Sequence, residues 1–160
     1  MSLHLTIADY HDPVHARDLA SLLDSYSRDL MGNRQELSPE ILARLAPELA
    51  KLPHAFSILA YLNDTAVGMA NCFMGFSTFK CRPLVNIHDI AVHPDYRGQG
   101  IGSKILAVVE EEAIKRDCCK ITLEVLEGNT IAQAAYLKFG FASYELDPET
   151  GRALFMEKEL

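Results

Sequence analysis

The chain has 160 residues, 49% of them hydrophobic and 23% charged, which is the size and make-up of one globular domain. Such a chain buries roughly two-thirds of its unfolded surface, so it needs neither disulfides nor a metal to stay folded. Its formal charge of −7 argues against nucleic acid as a partner, because a phosphate-backbone binder needs a basic face.

The elements are predicted in chain order as follows. Leu3–Ile7 alternates and reads as a strand. After Asp12-Pro13, residues Leu19, Leu22, Leu23, Tyr26 and Leu30 recur at helical spacing, giving an amphipathic helix that stops near Gly32-Asn33. Ser38-Pro39-Glu40 opens a second helix that fades before Pro53. Strands follow over Phe56–Leu62 and Ala66–Phe76, separated by the Asn63-Asp64 turn, and a third covers Leu84–Val92. Gly102–Arg116 is helical, Lys120–Leu126 a strand, and Thr130–Phe139 a helix closed by Gly140. Two closing strands, Ala142–Leu146 and Ala153–Glu157, flank the Pro148–Gly151 turn. The expected fold class is α/β (α+β), a mixed sheet of about six to seven strands flanked by about four helices. No linker divides residues 1–160, so one domain is expected.

Cys72, Cys81, Cys118 and Cys119 form neither a C-x-x-C pair nor a zinc spacing and read as reduced thiols. The start Met-Ser-Leu-His-Leu-Thr-Ile lacks a signal-peptide pattern, and no apolar run approaches the ~20 residues that span a bilayer. A cytoplasmic location away from membranes is therefore expected.

Chemistry concentrates in Val85–Gly102, VNIHDIAVHPDYRGQGIG. A strand ends near Val92, and Arg97-Gly98-Gln99-Gly100-Ile101-Gly102 then opens a helix. Glycines let the backbone approach a ligand, and amides at a helix N-terminus suit a pyrophosphate. Arg97 could add a charge-assisted contact. The spacing is not the dinucleotide pattern, since Ser103 stands at the third glycine position, and no Walker lysine follows.

A second segment, Leu123-Glu124-Val125 through Asn129, Ala132, Tyr136, Gly140 and Phe141, completes the pattern. Together the two segments resemble the GNAT superfamily of acyl-CoA N-acyltransferases. Val92, Arg97, Gly98, Gly100 and Gly102 match its V-x-x-x-x-R-G-x-G-x-G motif. Leu123, Val125, Asn129, Ala132, Tyr136, Gly140 and Phe141 match its second motif. The resemblance runs from about residue 55 to 146. It implies acetyl-CoA as co-substrate, without a metal, bound between splayed parallel strands Leu84–Val92 and Lys120–Leu126. Backbone groups of Ile90, Ala91 and Val92 would then meet the pantetheine arm and polarise the thioester. Arg97, Gly98, Gln99, Gly100, Ile101, Gly102 and Ser103 would hold the pyrophosphate. Asn129 would contact the cofactor or fix the start of its helix, with Ala132 on the same helix.

Direct attack of a primary amine, through a ternary complex, needs a base, an oxyanion donor and an acid for the thiolate. Tyr136 is the candidate acid; its plainer role is a packed core tyrosine. His88 is the candidate base, nine residues before Arg97, where arylalkylamine N-acetyltransferases place a histidine and polyamine acetyltransferases a glutamate. Alternation puts Asn86, His88 and Ile90 on one face and Asp89 on the other. Asp89 is the rival base, or an anchor for a cationic amine.

Substrate contacts are expected from Tyr26, Phe76, Phe79, Arg82, Asn86 and Arg34, although Phe76 and Phe79 equally suit hairpin packing. His11 and His15 have an i,i+4 spacing with no clear third ligand. Glu110-Glu111-Glu112 reads as a solvated helix face. The acceptor expected is a small amine, with a protein lysine or N-terminus, or a non-catalytic acyl-CoA-binding module, as alternatives. A homodimer is compatible with the resemblance.

Overall fold

The structure is a computed structural model and describes residues 2–144, 147–151 and 153–160. It falls into two compact units, Met1–Leu126 and Glu127–Leu160. The first contains β1 (Leu3–Ile7), α1 (Pro13–Arg28), α2 (Pro39–Leu49), β2 (Ala55–Leu62), β3 (Thr65–Ser77), β4 (Arg82–Val92), α3 (Ile101–Lys115) and β5 (Ile121–Leu123). The second contains α4 (Thr130–Phe139) and a short 3-10 turn at Pro148–Thr150. Among the described residues no helix is long and apolar enough to cross a membrane.

Local signals start the helices. Asp12 accepts the Val14 and His15 N–H groups ahead of Pro13, and Ser38 accepts the Ile41 N–H ahead of Pro39. α1 stops at Arg28, short of the expected Gly32. The reason is Asp29, whose carboxylate accepts the Met31 N–H at 3.0 Å and offers the backbone a turn in place of another helical residue.

The sheet order is β1-β2-β3-β4-β5, antiparallel except for the parallel pair β4/β5. On one side, Leu19, Leu22 and Leu49 of the first two helices pack with Leu59 and Met69. On the other, α3 seats Ile101 and Ile105 against Gly68. The guanidinium of Arg116 stacks 4.5 Å from the Phe56 ring centroid on that side. Burying these apolar faces on both sides of the strands is the main stabilising term of the unit.

Two expectations are corrected. Lys120–Leu126 is strand only at Ile121–Leu123, because its partner β4 is paired with it only at Val85–Ile87. No strand forms over Ala142–Tyr144 or Ala153–Glu157, while Glu145 and Leu146 lie outside the described residues. β-prone side chains alone do not make a strand, which gains its stability from the sheet it joins. The described strands therefore number five.

Cys72 is 1% exposed, and burial pushes its thiol up to about 12. Cys81 is exposed in the turn after β3. Brief iodoacetamide treatment of the native protein near neutral pH should therefore alkylate Cys81 and spare Cys72. Peptide mass spectrometry reads this directly, and early modification of Cys72 would contradict its placement.

Candidate functional site

β4 ends at Val92, and the His93 N–H holds the next residue to Val67 O at 2.8 Å. A 3-10 turn at Pro94–Tyr96 then reverses the chain, and Arg97 N–H bonds Pro94 O at 3.3 Å. Gly98 and Gly100 follow at φ 76° and 75°. Both lie in the left-handed region where a side chain is strained. α3 begins directly after Gly100, which supplies no side-chain cap. Among the described residues, the amides of Gly98, Gln99, Gly100, Ile101, Gly102 and Ser103 have no backbone partner. Six neighbouring N–H groups at the positive end of a 15-residue helix make an anion cradle.

Arg97 anchors the loop that carries those amides. Its Nε donates to Val92 O at 3.1 Å, and a terminal nitrogen bonds Asp29 Oδ2 at 2.6 Å. The guanidinium thus ties the loop to the end of α1. The Met31 N–H, and then Arg97, hold the Asp29 carboxyl below the usual carboxylate range. Sequence reading missed Asp29, which stands 68 positions from its partner.

The strand edge beside the loop is open. Pairing of β4 with β5 stops at Ile87↔Leu123, so Ile90, Ala91 and Val92 keep one backbone edge without a strand partner among the described residues. This is the splay that the resemblance implies. It coincides with a bulge: Cys72 pairs Ile87 while Asn71 pairs Asp89, leaving His88 as the extra residue.

That bulge corrects the predicted faces. Asn86 opposes Phe73, Asp89 opposes Asn71 and Ala91 opposes Met69, all on the α1 side of the sheet. Ile90 moves to the opposite face, opposing Ala70. His88 is exposed, with its ring edge-on to Phe73 at 5.6 Å between centroids. Asn86, His88 and Asp89 therefore gather on one side, where strict alternation had excluded Asp89.

Asp89 also ends a buried polar series. Tyr10 Oη lies 2.8 Å from Ser57 Oγ, Ser57 Oγ donates to Asn71 Oδ1 at 2.6 Å, and Asn71 Nδ2 donates to Asp89 Oδ2 at 3.0 Å. Ser57 and Asn71 are 0% and 3% exposed. Tyr26 packs nearby, and burial, followed by the charges of Asp89 and Asp29, raises its phenol above the ordinary range.

Other candidates lie elsewhere. Phe76 and Phe79 are 58% and 93% exposed at the β3–β4 hairpin, the end of β4 away from the glycine loop. Arg82 bonds Asp117 there at 2.5 Å. Asn86 Nδ2 bonds Thr122 Oγ1 at 3.1 Å across β4/β5. Arg34 is exposed beyond α1. His15 Nδ1 accepts the Asp9 N–H at 3.0 Å, a structural use of that ring. Glu112 pairs with Lys115 at 2.9 Å and Arg116 at 3.4 Å.

In the second unit, Asn129 Oδ1 caps α4 by accepting the Ala132 N–H at 3.2 Å. At the other end Phe141 N–H bonds Tyr136 O at 3.0 Å and Gly140 N–H bonds Leu137 O at 3.1 Å. The Tyr136 ring is half-buried and meets Phe141 at 5.9 Å.

The family described as Acetyltransferase (GNAT) matches residues 19–141. A thialysine N-epsilon-acetyltransferase from Bos taurus is 42% identical over 74 residues, 46% of this chain and 43% of that one. The chain thus spans less than half the length of that relative. An aminoglycoside N(6')-acetyltransferase type 1 from Salmonella typhimurium is 25% identical over 114 residues, covering 69% of this chain and 74% of the relative. Among solved structures, AAC(6')-Iy in complex with a bisubstrate analog has a TM-score of 0.78 at 18% identity, over 100% of both chains. A family match across well over half the sequence, on a matching fold, makes this chain a member of the GNAT acetyltransferase family.

Proposed function

We propose that the protein is an acetyl-CoA-dependent N-acetyltransferase acting on a small cationic primary amine. The observation that carries this reading is the amide cradle from Gly98 to Ser103 beside the unpaired edge of β4. An anion cradle next to an open strand edge suits a ligand with a pyrophosphate at one end and a chain of amides behind it. The relatives named for thialysine and aminoglycosides both act on amines, and that supports the acceptor class.

Acetyl-CoA supplies the acetyl group as a thioester. The amides of residues 98–103 hold the pyrophosphate, with Arg97 fixing the loop through Val92 O and Asp29. Backbone groups of Ile90, Ala91 and Val92 pair with the pantetheine arm, and an N–H there stabilises the oxyanion. An alkylammonium with pKa near about 10.4 is mostly protonated at neutral pH, so it must lose a proton before attack. His88, exposed on the bulge, takes that proton, through water. The C–N bond forms as the amine attacks, the C–S bond breaks when the tetrahedral oxyanion collapses, and the resemblance assigns to Tyr136 the return of a proton to the leaving sulfur. Asn129 holds the helix that carries Tyr136 and Ala132.

The test is thiol release from acetyl-CoA across polyamines, aryl amines, aminoglycosides, amino acids and peptides. The expected result is turnover confined to small cationic amines. Peptide-only turnover, or acetyl-CoA binding without any turnover, would overturn the reading. In an active pair, Tyr136→Phe should lower kcat about 100-fold, with acetyl-CoA affinity unchanged. An unaltered kcat would remove Tyr136 from the mechanism.

A further inference from the structure

Most buried or half-buried acids of the first unit are matched by a cation, and Asp12 is used as the N-cap of α1. Asp18 pairs with Arg17, Asp24 with Arg28, Asp29 with Arg97, and Glu112 with Lys115. Asp89 is also half-buried, yet among the described residues no lysine or arginine pairs with it. Its Oδ2 is instead held by the neutral amide of Asn71 at 3.0 Å. A partly buried carboxylate without a counter-cation has given up part of its solvation, and a visiting cation would compensate for that loss.

The hydrogen-bond directions are fixed by the carboxylate. Ionised Asp89 only accepts, so Asn71 must turn its NH2 toward it and its oxygen toward Ser57. Ser57 has one proton and gives it to Asn71. Tyr10 must therefore donate to Ser57 across their 2.8 Å contact. Three donors point the same way along directly opposed residues of three strands, Ser57↔Asn71 on β2/β3 and Asn71↔Asp89 on β3/β4. An asparagine cannot pass a proton along such a series without changing tautomer, so the series orients and polarises and does not relay. Asn71 and Ser57 interrupt otherwise apolar strands, in a core where apolar residues would be simpler to bury.

We propose that Asp89 binds a second cationic group of the acceptor, apart from the reacting amine, and that Asn71, Ser57 and Tyr10 are positioning residues that hold its carboxylate toward the α1 side of the bulge. The ligand is a compact ammonium, and the aromatic rings of Tyr26 and Phe73 on the same side provide an apolar approach for its methylene chain. Asp29 cannot serve in its place, because Arg97 already neutralises it at 2.6 Å. This rests on the amine-acceptor reading above and names which residue selects the acceptor.

The test is equilibrium binding, so that it does not depend on turnover. Calorimetry would compare 1,5-diaminopentane with pentylamine on the CoA-loaded protein, in wild type, Asp89→Asn, Asn71→Leu and Tyr10→Phe. Wild type should prefer the diamine, and Asp89→Asn, which keeps side-chain shape, should weaken diamine binding about tenfold. Asn71→Leu should reproduce that loss and Tyr10→Phe show a smaller one, with pentylamine affinity held. Melting temperatures identify an unfolded Asn71→Leu protein, in which case Tyr10→Phe carries the positioning arm. Equal losses for both amines, or a falling melting temperature with diamine preference intact, would overturn the proposal. Asp89-dependent diamine binding without any acetyl transfer would sustain it while sinking the enzymatic reading.

Discussion

Gly100→Val is expected to raise the dissociation constant for acetyl-CoA by at least about 100-fold while the protein remains folded. Gly100 sits at φ 75° as the residue before α3, and no atom lies within 4 Å of where its Cβ would stand. The added Cβ therefore meets open space. Its cost is the left-handed backbone, about 1–2 kcal/mol for an ordinary residue and more for a β-branched one. The chain can relieve that strain by rotating φ negative, which turns the amides of Gly100 and Ile101 away from a shared anion. A branched side chain would also stand in the open space at the cradle. For a chain of this size each kcal/mol lowers the melting temperature by about 2–4 °C, so a small thermal shift should accompany a large binding loss. Gly98→Ala, at φ 76° with similarly open surroundings, should give the same pattern more weakly. A normal dissociation constant in the Gly100 variant would show that the loop is a structural turn and that the anion is held elsewhere.

The parts legible in the sequence were those whose causes are local. The Asp12, Ser38 and Asn129 caps and the Gly140 terminator each act within a few residues. The glycine loop was legible because positive φ favours one residue type. The bulge at His88 was not, since it arises from a mismatch between β3 and β4 that neither strand displays alone. That single extra residue moved Asp89 to the α1 side, at the point where the pairing with β5 ends. The polar series was partly foreshadowed by Ser57 and Asn71 within apolar strands, but their alignment needs the register. The Asp29–Arg97 bond joins residues 68 positions apart, beyond any periodic signal. Over the described residues of the two closing segments no strand formed although β-prone residues were present, because strand propensity alone does not pair a strand.

The same register makes Gly68→Val the most damaging single change expected in the first unit. A Cβ at Gly68 would stand 2.9 Å from Ile105 Cδ1, 3.1 Å from Ala91 O and 3.4 Å from Ile101 Cγ2. Ile105 and Ile101 are 0% and 3% exposed, so both side chains sit within the packed core. Ala91 O is backbone on the neighbouring strand, and Gly68 itself pairs with Val92. The least costly relief is to lift the first turn of α3 away from the sheet, and that turn carries the amide cradle. Overpacking of this kind costs typically about 1–3 kcal/mol, and two further methyls on the Cβ place valine at the upper end. A melting temperature lower by roughly 6–12 °C should follow. Acetyl-CoA binding should weaken with it, although the substituted residue belongs to β3 and not to the loop. A double-mutant cycle separates this wedge from general destabilisation. Gly68→Ala adds only the Cβ, and Ile105→Val removes the Cδ1 atom that this Cβ would meet. If the wedge displaces the helix, the double variant should be more stable, and bind more tightly, than the two single losses added together. Strict additivity would show that Ile105 yields without moving α3. The binding loss would then have to arise through Ala91 and the edge of β4.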